Sequence, residues 1–195
     1  TNNDSAYETA ISLIQKGINI EAIIDNREEV DSKLLYELEK NNVKIFKGFT
    51  IIDTFGYKRV NKISIKQLSK DGQRVVGSKI NLSCDCLGVS GGWTPAVHLF
   101  TQSGGKLKYR EEDQVFIPNV FPSDQLSIGS CNGDFTLDEI SINTPKSLKE
   151  FLNIKTSEYE NLEVISSINK SKRNIWLLPS DKVLGKTKSF VDYQN

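Results

Sequence analysis

Methionine is missing from all 195 residues, histidine occurs once and cysteine three times. An odd cysteine count in no stapling pattern excludes a disulfide-built scaffold, and it fits a reducing compartment, so a soluble, cytoplasmic chain is expected. An excess of one charge is also absent. The 25 basic residues face 25 acidic ones, which leaves no electrostatic footprint for nucleic acid or for an anionic membrane. No apolar run approaches the roughly 20 residues of a membrane span, and the N-terminus lacks a basic stretch followed by an apolar one. Cys84, Cys86, Cys131 and His98 do not have zinc spacing, so no metal site is expected. Cys84 and Cys86, two apart on an expected strand, read as small buried hydrophobes. His98 reads as a structural histidine, and no catalytic residue is expected anywhere in the chain.

What remains is an α/β pattern of ample length for a sizeable core. Ala6, Ala10, Ile11, Leu13 and Ile14 mark one face of a helix that Asp4 or Ser5 can cap and Gly17 can end. A strand is expected over Ile18 to Ile24, closed by Asp25, then a helix from the Asp31-Ser32 cap through Glu39, then a strand from Val43 to Phe46. This order predicts a βαβαβ half of a doubly wound sheet whose first strand lies before Thr1, so the chain reads as a piece of a longer polypeptide. Three extended runs follow, at Thr50 to Phe55, Val60 to Leu68 and Arg74 to Ser83, as an antiparallel ribbon. Leu82 to Leu87 is expected to return as a parallel strand, with a short helix at Pro95 to Thr101 after it. A hairpin joins Lys106 to Tyr109 and Gln114 to Ile117, and Gln125 to Ile128 reads as a buried strand. A helix is expected to start at Thr144-Pro145 and run through Leu152. The boundaries are 1–143 for the α/β domain and 144–195 for a helical or irregular linker toward a further domain.

Two strand-to-helix turns are candidate cradles, beside a third at Cys84 to Leu99, which together with Ser127 to Asp134 reads as a pair of glycine-rich turns able to bring backbone N–H groups and a helix start against a pyrophosphate. The frame G-x-G-x-x-G/A fits over Thr1 to Ala6, but Thr1 and Asn3 stand where the two leading glycines belong. The first glycine permits the tight turn and the second lets backbone approach a pyrophosphate, so this turn reads as unable to hold a dinucleotide. Asp25 sits where an acid would take a ribose hydroxyl; without the phosphate half it reads more simply as the opening of the Asp25-Asn26-Arg27 loop. The second turn is Ser127-Ile128-Gly129-Ser130-Cys131-Asn132-Gly133-Asp134, read as a strand, a glycine turn and a helix start. Trp93, in Gly92-Trp93-Thr94-Pro95, reads as a packing residue.

The chain resembles the alpha subunit of heterotetrameric sarcosine oxidase, a family related to other amine- and opine-oxidising flavoenzymes. The resemblance rests on Thr1 to Tyr7, on Val89-Ser90-Gly91-Gly92-Trp93-Thr94-Pro95 with His98-Leu99-Phe100, on Ser103-Gly104-Gly105-Lys106-Leu107, and on Phe190 to Asn195. It implies a Rossmann-like fold of the FAD/NAD(P)-binding, pyridine nucleotide-disulfide oxidoreductase type, a parallel sheet with an antiparallel β ribbon inserted. Flavoproteins of that type show Gly-Asp in the returning strand, the Asp meeting the flavin ribityl chain; here Ser130 follows Gly129. The family is known to hold NAD in the corresponding site, so the resemblance carries NAD contact onto Gly129, Ser130, Cys131, Asn132, Gly133, Asp134, Phe135, Thr136 and Leu137. For the parent enzyme it implies oxidative demethylation of sarcosine to glycine with hydrogen peroxide formed. FAD would lie in the beta subunit, FMN at the alpha/beta boundary, and a tetrahydrofolate domain further along alpha; gamma and delta subunits would complete the complex. None of these cofactors is expected on the 195-residue piece alone. A working NAD(P)H-dependent reductase domain and a non-catalytic subunit-interaction scaffold are the alternative readings.

Overall fold

The computed structural model describes residues 1–122, 124–154, 175 and 178–181. Two compact units share the chain: Thr1–Gly92 with Asn169–Ser189, and Trp93–Ile168 with Phe190–Asn195.

The first unit is a βαβ layer backed by a ribbon. Helix α1, Ser5–Gln15, leads to β1, Ala22–Asp25. Asp31 then accepts the Lys33 N–H at 2.7 Å and starts α2, Ser32–Lys40, which crosses over to β2, Lys44–Lys47. β1 and β2 pair in parallel, Ala22 opposite Lys44 and Asp25 opposite Lys47, which is the Rossmann-like unit expected. Alternation along β1 serves two cores. Ile23 packs with Tyr7, Ala10, Leu38 and Val43 beneath the helices. Ala22 and Ile24 face the second core, built on Ile63, Ile65 and Leu82 of the ribbon. That ribbon is antiparallel, in the order β3 Phe49–Gly56, β4 Val60–Leu68, β5 Val75–Ser83. The first strand is shorter than expected, since Ile18 to Glu21 stay outside it. Thr1 lies beside β1 in the manner of a parallel neighbour: its amine donates to the Ile24 carbonyl at 2.7 Å and its own carbonyl accepts the Asn26 N–H at 3.0 Å.

After Ser83 the expected returning strand does not form. The Cys84 N–H still reaches the Asn61 carbonyl at 3.2 Å, but the chain to Val97 is irregular. Leu82 and Ser83 are already rungs of the antiparallel ribbon, opposite Ile63 and Lys62, and beyond Leu87 the residues Gly88, Gly91, Gly92 and Pro95 disfavour any new ladder. Cys86 is exposed, correcting its reading as a buried hydrophobe, whereas Cys84 is half-buried and packs against the second core. Trp93 is 64% exposed, not packed.

In the second unit, α3 covers His98–Gln102, and β6 Lys106–Arg110 pairs antiparallel with β7 Val115–Val120 as expected of the hairpin. His98, read as a structural histidine, is exposed at the start of α3. Gln125 to Ile128 is not a strand, and Ile128 is partly exposed. A 3-10 turn, Gly129–Asn132, precedes α4, Leu137–Leu152. The helix therefore starts seven residues before Thr144. Pro145 sits inside it, giving up one hydrogen bond to the Ser141 carbonyl; the true start is set by Thr136 instead. The expected irregular tail lies, from residue 155, outside the described residues except at 175 and 178–181. No helix among the described residues is long and apolar enough to cross a membrane.

Candidate functional site

Two turns compete for the role of dinucleotide cradle, one in each unit. The first lies at Thr1 to Ser5, where the end of β1, the start of α1 and the loop at Ser90-Gly91 converge. Asn2 is 2% exposed and donates from Nδ2 to the Gly91 carbonyl at 2.9 Å. Asn3 Nδ2 donates to Asn2 Oδ1 at 3.0 Å and to Ser90 Oγ at 2.9 Å, while Ser5 Oγ donates to Asn3 Oδ1 at 2.5 Å. Side-chain amides thus occupy the space that fingerprint glycines leave open for phosphate.

The charged half of this turn is also taken. Asp25 is 0% exposed and its carboxylate is held by Arg27, through Nη2 at 2.8 Å, Nε at 3.2 Å and the backbone N–H at 2.9 Å. The same Nη2 pairs with Asp4 at 2.7 Å. Burial opposes the Arg27 charge, but the hydrogen bonds and charges of Asp25 and Asp4 outweigh it and raise its pKa. Tyr7 completes the cluster; burial first, and then the Asp25 charge, push its phenol well above the ordinary range. A carboxylate with no exposed surface cannot meet a ribose. The simpler reading of Asp25, as the residue that opens its loop, is what the geometry supports, and the residues of this turn do not fit a dinucleotide.

The second turn gathers the nine residues Gly129 to Leu137. Gly129 to Asn132 form the 3-10 turn, and the buried Gly133 adopts φ +85°. A Cβ at Gly133 would stand 2.9 Å from Arg110 Nη2 and 2.9 Å from Ile117 Cγ2. Arg110 reaches across from the hairpin, donates to the Gly133 carbonyl at 2.8 Å and pairs with Asp113. Glycine is favoured here by the positive φ, and a Cβ would also have to push back the guanidinium and Ile117. Asp134 is buried and accepts from Asn143 Nδ2 at 2.8 Å.

The helix does not begin at Gly133, as expected, but at Leu137, behind a capping box. Thr136 Oγ1 accepts the Glu139 N–H at 3.2 Å, and Glu139 Oε2 accepts the N–H groups of Phe135 at 3.0 Å and Thr136 at 3.1 Å. A carboxylate thus already lies at the positive end of α4, on N–H groups that a pyrophosphate would need. Glu139 went unnoticed in the sequence, although Thr136-x-x-Glu139 is the written signature of such a box. Ser130 and Cys131 remain exposed on the turn. Among the described residues no three His, Cys, Asp or Glu side chains gather as metal ligands.

No protein-family model matches the chain. Two curated relatives do, over its whole length: the sarcosine oxidase alpha subunit of Corynebacterium sp. strain P-1, 28% identical over 207 residues, and that of strain U-96, 26% identical over 201. The chain is similar to sarcosine oxidase alpha subunits from end to end. It spans 20% of the length of each of these relatives. Among solved structures, T. acidophilum thioredoxin reductase resembles it with a TM-score of 0.46 at 18% identity, over 67% of this chain and 46% of that one.

Proposed function

We propose that this chain is the dinucleotide-fold part of a sarcosine oxidase alpha-like subunit, acting there as a scaffold. The parent oxidoreductase would oxidise sarcosine to glycine and form hydrogen peroxide, using FAD, FMN and tetrahydrofolate bound outside this chain and assembling with beta, gamma and delta subunits. The end-to-end similarity to two alpha subunits supports the parent. The observation that carries the scaffold role is the double occupation of its cradles: Asn3 and Ser90 fill one, Glu139 the other. The same occupation argues against the NAD(P)H-dependent reductase reading, which needs an open fingerprint.

NAD contact at Gly129 to Leu137 belongs to this proposal in a restricted form. The pyrophosphate would have to displace Glu139 from Phe135 and Thr136, or rest on the exposed Ser130 and Cys131. The test uses the full subunit. Cys131→Glu sets a carboxylate on an exposed turn position without disturbing the core, and NAD released on denaturation is measured with circular dichroism as the folding control. Loss of about tenfold or more of the bound NAD is expected where phosphates lie at this turn. Unchanged NAD content in the folded variant places the cofactor elsewhere and leaves Gly129 to Leu137 with packing and capping alone.

A further inference from the structure

The tip of the β3–β4 hairpin gathers positive charge. Gly56 takes φ +142°, and a Cβ there would fall 1.9 Å from the Arg59 carbonyl, so only glycine permits this turn. It is followed by Tyr57, 98% exposed, and by the exposed Lys58 and Arg59. Just behind, Lys62 Nζ stands 4.3 Å and Lys79 Nζ 5.3 Å from the centre of the Phe55 ring, so one aromatic ring gathers two ammonium groups. None of the four cations has a carboxylate partner among the described residues. In a chain with zero net charge, four cations without a described carboxylate partner, two following the projecting Tyr57 in sequence and two at Phe55, form a local field against the average.

We propose that this hairpin tip docks onto an acidic surface of a partner polypeptide. Tyr57 supplies rigid contact area at low conformational cost, and Lys58 and Arg59 meet carboxylates at its rim. Single-stranded nucleic acid fits less well. Stacking needs free aromatic faces along a basic groove, yet the Phe55 ring already carries the lysines and only one aromatic ring projects. An anionic membrane fits less well too, because insertion needs an apolar cluster and Tyr57 stands alone among charges. The proposal is independent of where NAD lies.

Fluorescence anisotropy on the full chain tests it, with labelled hexaglutamate as the acidic probe, against labelled oligothymidine and phosphatidylglycerol vesicles. Hexaglutamate is expected to bind the more tightly, and Lys58→Ala combined with Arg59→Ala to weaken it about tenfold at low salt. Tyr57→Ala should weaken it severalfold without changing the salt slope, and Arg59→Lys should largely retain binding, which guards against a folding artefact. Tighter binding of oligothymidine or vesicles, no binding of hexaglutamate, or an unaffected double variant each overturns the proposal. Self-association of the chain that the double variant abolishes overturns it as well, by making a second copy the occupant.

Discussion

The two turns reach the same state by opposite routes. At Thr1 to Ser5 the cradle is closed from a distance: Asn2 and Asn3 bond to Gly91 and Ser90, nearly ninety positions along the chain. At Gly129 to Leu137 it is closed locally, by a glutamate only three residues past the cap. A local carboxylate can leave a helix end at the cost of one capping interaction, about 1 kcal/mol. Opening the first turn means breaking a buried ion-pair cluster and an amide network together. The first site is therefore built shut, and the second only stoppered.

The strongest way to break that contrast is Arg27→Ala. It leaves Asp25 buried without its partner and should cost about 3 to 5 kcal/mol, read as a lowered urea midpoint. A loss no larger than that of Glu139→Ala would erase the distinction. Gly133→Ala comes next: the positive φ and the approach to Arg110 predict about 1 to 3 kcal/mol. Glu139→Ala should cost about 1 kcal/mol, with early loss of amide-exchange protection confined to the first turn of α4.

A pH series sharpens the comparison on the side of the closed turn. Tyr7 holds its proton more tightly folded than unfolded, so its contribution is fully present below the ordinary phenol value near 10 and is lost as pH rises through its higher folded value. The stability difference between wild type and Tyr7→Phe should accordingly be flat up to pH 10 and fall above it. An unchanged difference up to pH 11 would show that the phenol is not held by the cluster. The smallest effect is an absence. Calorimetric titration of the chain with NADH and NADPH, and of Asn3→Gly with both, should give no saturable binding below the millimolar range, because Arg27 still locks Asp25. A micromolar constant for Asn3→Gly alone reopens the first cradle, and one shared by both proteins points to the second.

Much of the fold is written in local residue order. The Asp31 cap, the spacing of Leu34, Leu35 and Leu38, and the alternation through Val60 to Leu68 each placed an element within a residue or two, because periodicity and capping are short-range properties. The loss of the two leading glycines was enough to mark the first turn as closed. Even the Thr136 to Glu139 box is legible in the residue order, although the glycines before it and the proline after it are the more conspicuous boundary signals. The tertiary structure decided the rest. Leu82 to Leu87 has strand composition, but its first two residues are taken up by the antiparallel ribbon opposite Ile63 and Lys62, and Gln125 to Ile128 is apolar enough for a strand yet pairs with no strand among the described residues. That Asn3 meets Ser90, that Arg27 is shared between Asp25 and Asp4, and that Arg110 lies against Gly133 are contacts between residues far apart or on different elements. Sequence supplies the hydrogen-bonding groups and the charges. Only folding determines which of them face each other and which are left, as at Lys58 and Arg59, facing solvent.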